Sequence, residues 1–329
     1  MSTAPVSTSS GTIATELPVF SSESEDNRQQ LDAFWQKVEQ GYLTTSDGLK
    51  LAYCVATHPE STRAIVISSG RVEAYLKYQE LIFDLYQLGY SVYALDHRGQ
   101  GLSARLTDNP HQGHVEKFAD YVNDFGHFID TLVSPKQHDR LFLVGHSMGG
   151  TIATLYLQQA PKVFDAAVLS APMYGICLPM PKPFVRWLAG HLDNGSNNNP
   201  NYVLGGKDYE PVPFEQNDLT HSAKRYQDYR RLYETYPQLQ LGSPTNRWLI
   251  ESLDACEQAI QAAKHSQTPI LILQAEEDSI VDNRAQDAAK GEHCHLYKVV
   301  HARHEIFMER DNARDQALGQ LADFLSLHA

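Results

Sequence analysis

The run Gly145-His146-Ser147-Met148-Gly149-Gly150 constrains this chain more than any other stretch of it. It follows an apolar, strand-like segment, Leu141–Val144, and opens a helix-like one, Met148–Gln159. Gly-x-Ser-x-Gly between a strand and a helix makes a sharp turn that holds the serine in strained backbone. Bulky side chains two positions to either side would clash, hence glycine at 145 and 149. The turn lifts the Ser147 hydroxyl to the open top of a sheet. It also sets a helix N-terminus beneath the hydroxyl, with the Met148 N–H aimed where an oxyanion would form. An idle serine on a glycine-rich turn is the plainer alternative, and the strand–turn–helix context argues against it.

Around this turn, apolar strands alternate with helical patterns. Ser46-Asp47-Gly48 between Tyr42–Thr45 and Leu49–Val55 signals a hairpin. Ala64–Ser68, Ser91–Leu95, Leu141–Val144, Ala166–Leu169, Ile270–Leu273 and Leu296–Val300 read as strands. Tyr78, Leu81, Ile82, Leu85 and Leu88 recur at helical spacing and Gly89 closes that helix; Phe118 to Leu132 repeats the pattern. A last helix spans about Asp311 to Leu327, and a weak one lies near Leu31–Val38. Fully apolar strands alternating with helices predict an α/β fold, a mostly parallel sheet covered on both faces. Between Ala171 and Gln267 the alternation stops: prolines cluster at 172, 179, 181 and 183, then a polar run covers Asn194 to Asn201. Helical pieces resume near Ser222–Tyr236 and Arg247–Ala263. The expected division is a Ser/Thr-rich mobile leader over 1–30, a core over 31–170 and 268–329, and an inserted, mainly helical cap over 171–267.

The chain carries 27 basic and 40 acidic residues, a net charge of −13. That disfavours a surface built to grip nucleic acid, and no nucleic-acid partner is expected. Cys54, Cys177, Cys256 and Cys294 lack Cys-x-x-Cys spacing, which suits reduced, packed thiols and neither a disulfide framework nor a zinc site. His293-Cys294-His295 resembles a metal tract only superficially, so no metal and no cofactor is expected. No apolar run approaches the roughly 18 residues that span a bilayer, and no secretory signal is visible. A cytoplasmic protein is expected, with peripheral contact at the inner membrane left open.

A serine hydroxyl is a poor nucleophile at neutral pH and needs a base. His304, in His301-Ala302-Arg303-His304-Glu305, follows the last strand, and its loop lies at the same sheet edge as Ser147. His301 is its rival, and His146 is expected to point away from the serine. The orienting acid falls in Glu276-Glu277-Asp278, after the penultimate strand. Asp278 fits the chain order serine, acid, histidine, with Glu276, Glu277 and Asp282 competing for the role. The second oxyanion donor is expected after Ala64–Ser68. There Gly70 permits close backbone approach and Arg71 offers its N–H; the Arg71 guanidinium is either a surface charge or a contact for an anionic headgroup.

At this point the sequence resembles the α/β-hydrolase superfamily. Within it, four segments look like the bacterial lysophospholipase L2 group, itself similar to monoacylglycerol lipases. They are Gly70-Arg71 followed by a helix, Asp96-His97-Arg98-Gly99-Gln100-Gly101, Gly145 to Gly150, and Ala302-Arg303-His304-Glu305. The likeness covers about residues 40–325, including Asn217-Asp218-Leu219-Thr220-His221-Ser222 in the cap. One departure is Ser69-Gly70, where monoacylglycerol lipases usually carry His-Gly. The resemblance implies an α/β-hydrolase fold and cleavage of the remaining acyl ester of a lysophospholipid. In that reading Ser147, Asp278 and His304 are catalytic, and the Met148 and Arg71 amides form the oxyanion hole. A monoacylglycerol substrate, another ester or acyl-transfer reaction, and a non-catalytic binding role are the alternatives. Phe184, Trp187, Leu188 and Tyr202 are candidates for an acyl channel, though cap core is the plainer reading of each. Lys224, Arg225, Arg230 and Arg231 are candidates for a phosphate headgroup, against a default of solvated helix charges.

Overall fold

The computed structural model describes residues 20–24 and 28–329. Its β-branched and aromatic runs become strands because such side chains pack well on a pleated, buried surface. The elements follow in chain order: α1 (Arg28–Trp35), β1 (Glu39–Thr44), β2 (Lys50–Ala56), β3 (Arg63–Ser68), α2 (Gln79–Gln87), β4 (Ser91–Leu95), α3 (Phe118–Phe128), β5 (Arg140–His146), α4 (Met148–Gln159), β6 (Ala166–Ser170), α5 (Lys182–Leu192), α6 (Ala223–Thr235), α7 (Asn246–Lys264), β7 (Ile270–Ala275), α8 (Asn283–Ala288), β8 (Cys294–Val299) and α9 (Asp311–Ser326). The strands form one eight-stranded sheet in the order β1-β2-β4-β3-β5-β6-β7-β8. β2 is antiparallel to β1 and β4, and every pair from β4 to β8 is parallel. β4, β5, β6 and β7 are buried almost throughout, which is why they read as unbroken apolar runs.

Two glycines make turns that other residues would strain. Gly48 has φ +85° in the β1–β2 hairpin, and Gly89 has φ +84° just beyond α2. After Gly89, the Tyr90 N–H returns to the Leu85 carbonyl at 3.2 Å, a Schellman closure of the helix.

The sheet matches the expected α/β class, with small shifts at element ends. The weak helix expected near Leu31–Val38 lies earlier, at Arg28–Trp35. The periodic run to Leu132 leaves the α-helix at Phe128 and continues as a π-helical turn, Ile129–Val133. α5 was hidden by its prolines, yet Pro183 stands in its first turn, where a missing N–H costs nothing. Between β6 and β7 the chain leaves the sheet for α5, α6 and α7 before returning. Of the leader expected over 1–30, residues 1–19 and 25–27 lie outside the described residues. Ser21 is buried, and its N–H and hydroxyl donate to Asp84 at 3.0 and 2.6 Å. Among the described residues no helix is long and apolar enough to cross a membrane.

Candidate active site

Parallel strands deliver their C-terminal loops to one edge, and four such loops build the site. Ser147 sits between β5 and α4 with φ 51° and ψ −121°, well outside ordinary backbone regions. The strained turn is held from several sides. Ser147 N–H donates to the Ser170 carbonyl at 3.1 Å, and the Ser147 carbonyl accepts from Met173 N–H at 3.0 Å. The flanking glycines are spatially required: a Cβ at Gly145 would lie 2.9 Å from the Gly150 Cα, and one at Gly149 would run into the Ser68 and Ser69 carbonyls. The second clash shows how tightly the loop after β3 packs on the turn.

His304 follows β8 and is buried. Its Nε2 is 3.0 Å from Ser147 Oγ and its Nδ1 is 2.9 Å from Asp278 Oδ2. Asp278 follows β7, and its other oxygen accepts from the Ile280 and Val281 amides at 2.9 and 3.0 Å. Burial alone would raise this carboxyl, but the His304 hydrogen bond and charge, with the two amides, outweigh it and hold it below its ordinary value. The three side chains thus form one hydrogen-bonded relay. Of the other histidines, His301 is exposed, with its N–H donating to Glu276 at 3.0 Å, while His146 lies beside the relay, its ring 4.9 Å from that of His304. His146 points to the Ser170 carbonyl at 3.2 Å, and burial lowers its pKa to about 4, so it is neutral at neutral pH.

Met148 opens α4, where a helix leaves its N–H groups without intrahelical acceptors. Across from it, Gly70 N–H donates to Glu73 Oε2 at 2.5 Å, and Gln100 Nε2 donates to the Gly70 carbonyl at 2.6 Å, so both polar groups of the Gly70 backbone are held. Lys77 Nζ lies 2.8 Å from Glu73 and 2.5 Å from Glu305. Its charge holds Glu73 below the usual carboxylate range against burial, whereas burial leaves Glu305 raised. Glu73 and Lys77 stand at i, i+4 spacing, but nothing in the sequence announces Glu305, which joins them from the far end of the chain.

Asn217–Ser222 clamps the histidine loop. Asn217 Oδ1 accepts from the Leu219 and Thr220 amides at 2.9 and 3.0 Å; the Leu219 carbonyl accepts from Glu305 N–H at 2.9 Å. Arg303 donates to the Asn217 carbonyl at 2.9 Å, and Ser222 caps α6 by accepting from Arg225 N–H at 3.2 Å.

A cavity of about 620 Å³ opens above Ser147 and His304. α5 lines it with Val185, Leu188, Ala189 and Leu192, an i, i+3, i+4, i+7 stripe, and Trp248 and Leu249 of α7 face it. Two sequence candidates are corrected here. Phe184 and Trp187 are 47% and 62% exposed and lie on the outer face of α5, their rings tilted against each other at 5.7 Å and Trp187 stacked on His191, rather than lining the cavity. Tyr202 also stands outside it, donating to Asp208 at 2.5 Å. The basic cluster divides by burial. Lys224 and Arg231 are exposed and pair with Asp228 at 3.1 and 3.3 Å, away from the cavity. Arg225 is buried, with Glu80 and Asp311 at 2.8 and 2.9 Å, and so joins α6 to α2 and α9 instead of meeting a ligand. Only Arg230 of the four reaches the cavity, which Arg71 also lines.

A serine–histidine–aspartate relay at the C-terminal edge of a mostly parallel sheet defines an α/β-hydrolase. The chain belongs to the Hydrolase_4 family, described as serine aminopeptidase, S33, which it matches over residues 59–311. It is 38% identical over 307 residues to lysophospholipase L2 of Escherichia coli K12, covering 91% of this chain and 90% of that one. Probable lysophospholipase L2 of Haemophilus influenzae is 34% identical over 306 residues, covering 91% and 96%. A soluble variant of Saccharomyces cerevisiae monoglyceride lipase, solved with a substrate analog, superposes with a TM-score of 0.68 at 19% identity over 89% of this chain and 97% of that one. That likeness is one of fold.

Proposed function

We infer that this chain is a serine esterase that releases the fatty acid from a lysophospholipid. The observation that carries the reading is the Ser147–His304–Asp278 relay at the base of a largely apolar cavity. The likeness to the lysophospholipase L2 proteins supports the substrate class. His304 takes the proton from Ser147 as its oxygen attacks the ester carbonyl. Asp278, held ionised, fixes the His304 tautomer and stabilises the imidazolium. The Met148 and Arg71 amides receive the oxyanion; one such donor is worth on the order of 100- to 1,000-fold in rate. His304 then protonates the leaving glycerol oxygen, and a water activated by the same imidazole frees the acid.

In this reading residues 171–267 act as a cap whose α5 stripe holds the acyl chain, and residues 1–30 as a leader to the core of 31–170 and 268–329. Release of fatty acid from a lysophosphatidylethanolamine, from monooleoylglycerol and from a short p-nitrophenyl ester tests the function. Turnover of the long-chain lipids is expected to exceed that of the short ester by at least tenfold in kcat/KM. Hydrolysis of the short ester alone would exclude a lipid substrate. A monoacylglycerol substrate is the second reading, favoured by the 28%-identical monoglyceride lipase of Mus musculus.

We also place the protein in the cytoplasm, peripheral on the inner membrane, with the exposed Phe184 and Trp187 face of α5 against lipid. An exposed pair of large aromatics costs nothing to a membrane-facing helix and gains apolar burial there. Phe184→Ser with Trp187→Ser should weaken binding to liposomes about tenfold or more, since each aromatic contributes roughly 1.5 to 3 kcal/mol when buried. Flotation with liposomes reads this directly, and equal flotation of variant and wild type rejects the contact.

A further inference from the structure

Buried arginines in this chain are normally paired. Arg98 bonds Asp124 at 2.6 Å, Arg225 bonds Glu80 at 2.8 Å, and Arg314 bonds Asp84 at 2.6 Å. Two half-buried arginines, Arg71 and Arg230, differ from these. Among the described residues neither has a carboxylate within salt-bridge distance, and the Nε atom of each is buried with no hydrogen-bond partner. Both guanidinium groups rest on aromatic rings instead: Arg71 lies 5.3 Å from the Trp248 centroid, and Arg230 lies 4.9, 5.4 and 5.6 Å from Tyr226, Tyr229 and Tyr233. Both line the cavity above Ser147.

The two groups belong to one region of that cavity. Arg71 donates to the Gly242 carbonyl, and Arg230 reaches the Tyr209 hydroxyl at 3.4 Å. Gly242 packs on the Tyr209 backbone so closely that a Cβ there would lie 2.8 Å from the Tyr209 nitrogen. Tyr233, under the Arg230 guanidinium, donates its hydroxyl at 2.7 Å to the carbonyl of Val72, the neighbour of Arg71. Tyr229 adds a buried hydroxyl with no partner.

The charge balance favours an anion. Lys77 is taken up by Glu73 and Glu305, so three cations (Arg71, Lys77, Arg230) face two carboxylates and 3 − 2 leaves +1 in the cavity of a chain that is −13 overall. Burial lowers Arg71 to about 10, which leaves it charged at neutral pH. Arg230 also donates to the Tyr226 hydroxyl at 2.9 Å, but the buried Nε of each half-buried arginine has no acceptor, and the planar donors of a guanidinium suit a phosphate.

The geometry points to a phosphate subsite formed by Arg71 and Arg230, which takes the phosphodiester of a glycerophospholipid headgroup and so selects phosphate-bearing lysolipids over neutral monoacylglycerols. This rests on the esterase reading above. Arg71 then has two tasks: its backbone N–H receives the ester oxyanion and its side chain receives the phosphate. As many bonds separate an arginine's backbone nitrogen from its guanidinium carbon as separate the ester carbonyl carbon of an sn-1 lysophospholipid from its phosphorus. One residue thus spans the reacting carbonyl and the headgroup.

The test compares kcat/KM on a lysophosphatidylethanolamine and on monooleoylglycerol for wild type, Arg230→Gln, Arg230→Lys and Arg71→Gln. The ratio of the two should fall about tenfold or more in each glutamine variant, the loss of one charge-assisted contact, and recover in part with lysine. An unchanged ratio in folded Arg230→Gln and Arg71→Gln overturns the subsite. Binding to Ser147→Ala, followed by calorimetry with glycerophosphoethanolamine and with inorganic phosphate, separates this inference from the esterase reading. Headgroup binding that weakens about tenfold when Arg230→Gln is added supports the subsite even if neither lipid is cleaved. Inorganic phosphate binding as tightly as the headgroup, or no binding of either, rejects it.

Discussion

Ser147→Ala is expected to lower kcat on a lysophospholipid by about a million-fold while the protein stays folded, because members of such a relay act as a unit. The Ser147 backbone is already fixed by Ser170, Met173 and Gly150, so loss of the hydroxyl does not release the turn. Substrate should still bind, since the cavity and its arginines are untouched. A single-turnover assay with radiolabelled lipid separates binding from chemistry. A loss below about tenfold would mean that another nucleophile does the work and would remove the relay from the mechanism. Asp278→Asn should lie between wild type and the serine variant, because His304 would lose the acceptor that sets its tautomer.

Arg314→Leu is expected to destabilise the fold by about 3 to 5 kcal/mol, the cost of stranding a buried charge. Arg314 is 0% exposed and donates at 2.6 Å to Asp84, at 2.9 Å to the Phe307 carbonyl and at 3.2 Å to the Ser21 carbonyl. Without it, Asp84 keeps only the Ser21 donors. Adding Asp84→Leu should restore part of the loss, because two apolar side chains tolerate the site better than one unpaired carboxylate. Urea unfolding of both single variants and the double measures this. A single-variant cost under about 1 kcal/mol, or no recovery in the double, would show that the pair is solvated in practice.

The parts of this molecule that were legible in its sequence are those whose cause is local. The turn at Ser147 needs glycine within two residues, and the buried strands announce themselves as apolar runs. The acid was less legible, since Glu276, Glu277 and Asp278 are neighbours and differ only in where their loop aims them; Glu276 turns out to cap the His301 amide. Side chains whose partners are remote carry no local signal of their role. Arg225 looks like one more charge on a polar helix, and only Glu80 and Asp311, brought from distant elements, reveal it as internal. Helix α5 carried a readable signal that its prolines obscured. The stripe of Val185, Leu188, Ala189 and Leu192 has helical spacing and faces the cavity, so Leu188 is placed as expected, whereas Phe184 and Trp187 fall on the opposite, exposed face.

The buried Arg225 also sets apart the two helices on either side of the cavity. It fastens α6 at once to α2, to α9 and to the Ser21 carbonyl, with bonds of 2.8, 2.9 and 3.2 Å. Along α5 the ion pairs Lys182–Glu257 and Arg186–Asp254 are exposed and therefore weak, and a better enclosed pair stands at its C-cap, where Asp193 meets Arg247 at 2.7 Å. In the esterase reading the aliphatic end of the substrate lies along the α5 stripe, and its polar end lies toward α6, the helix that Arg225 ties into the core.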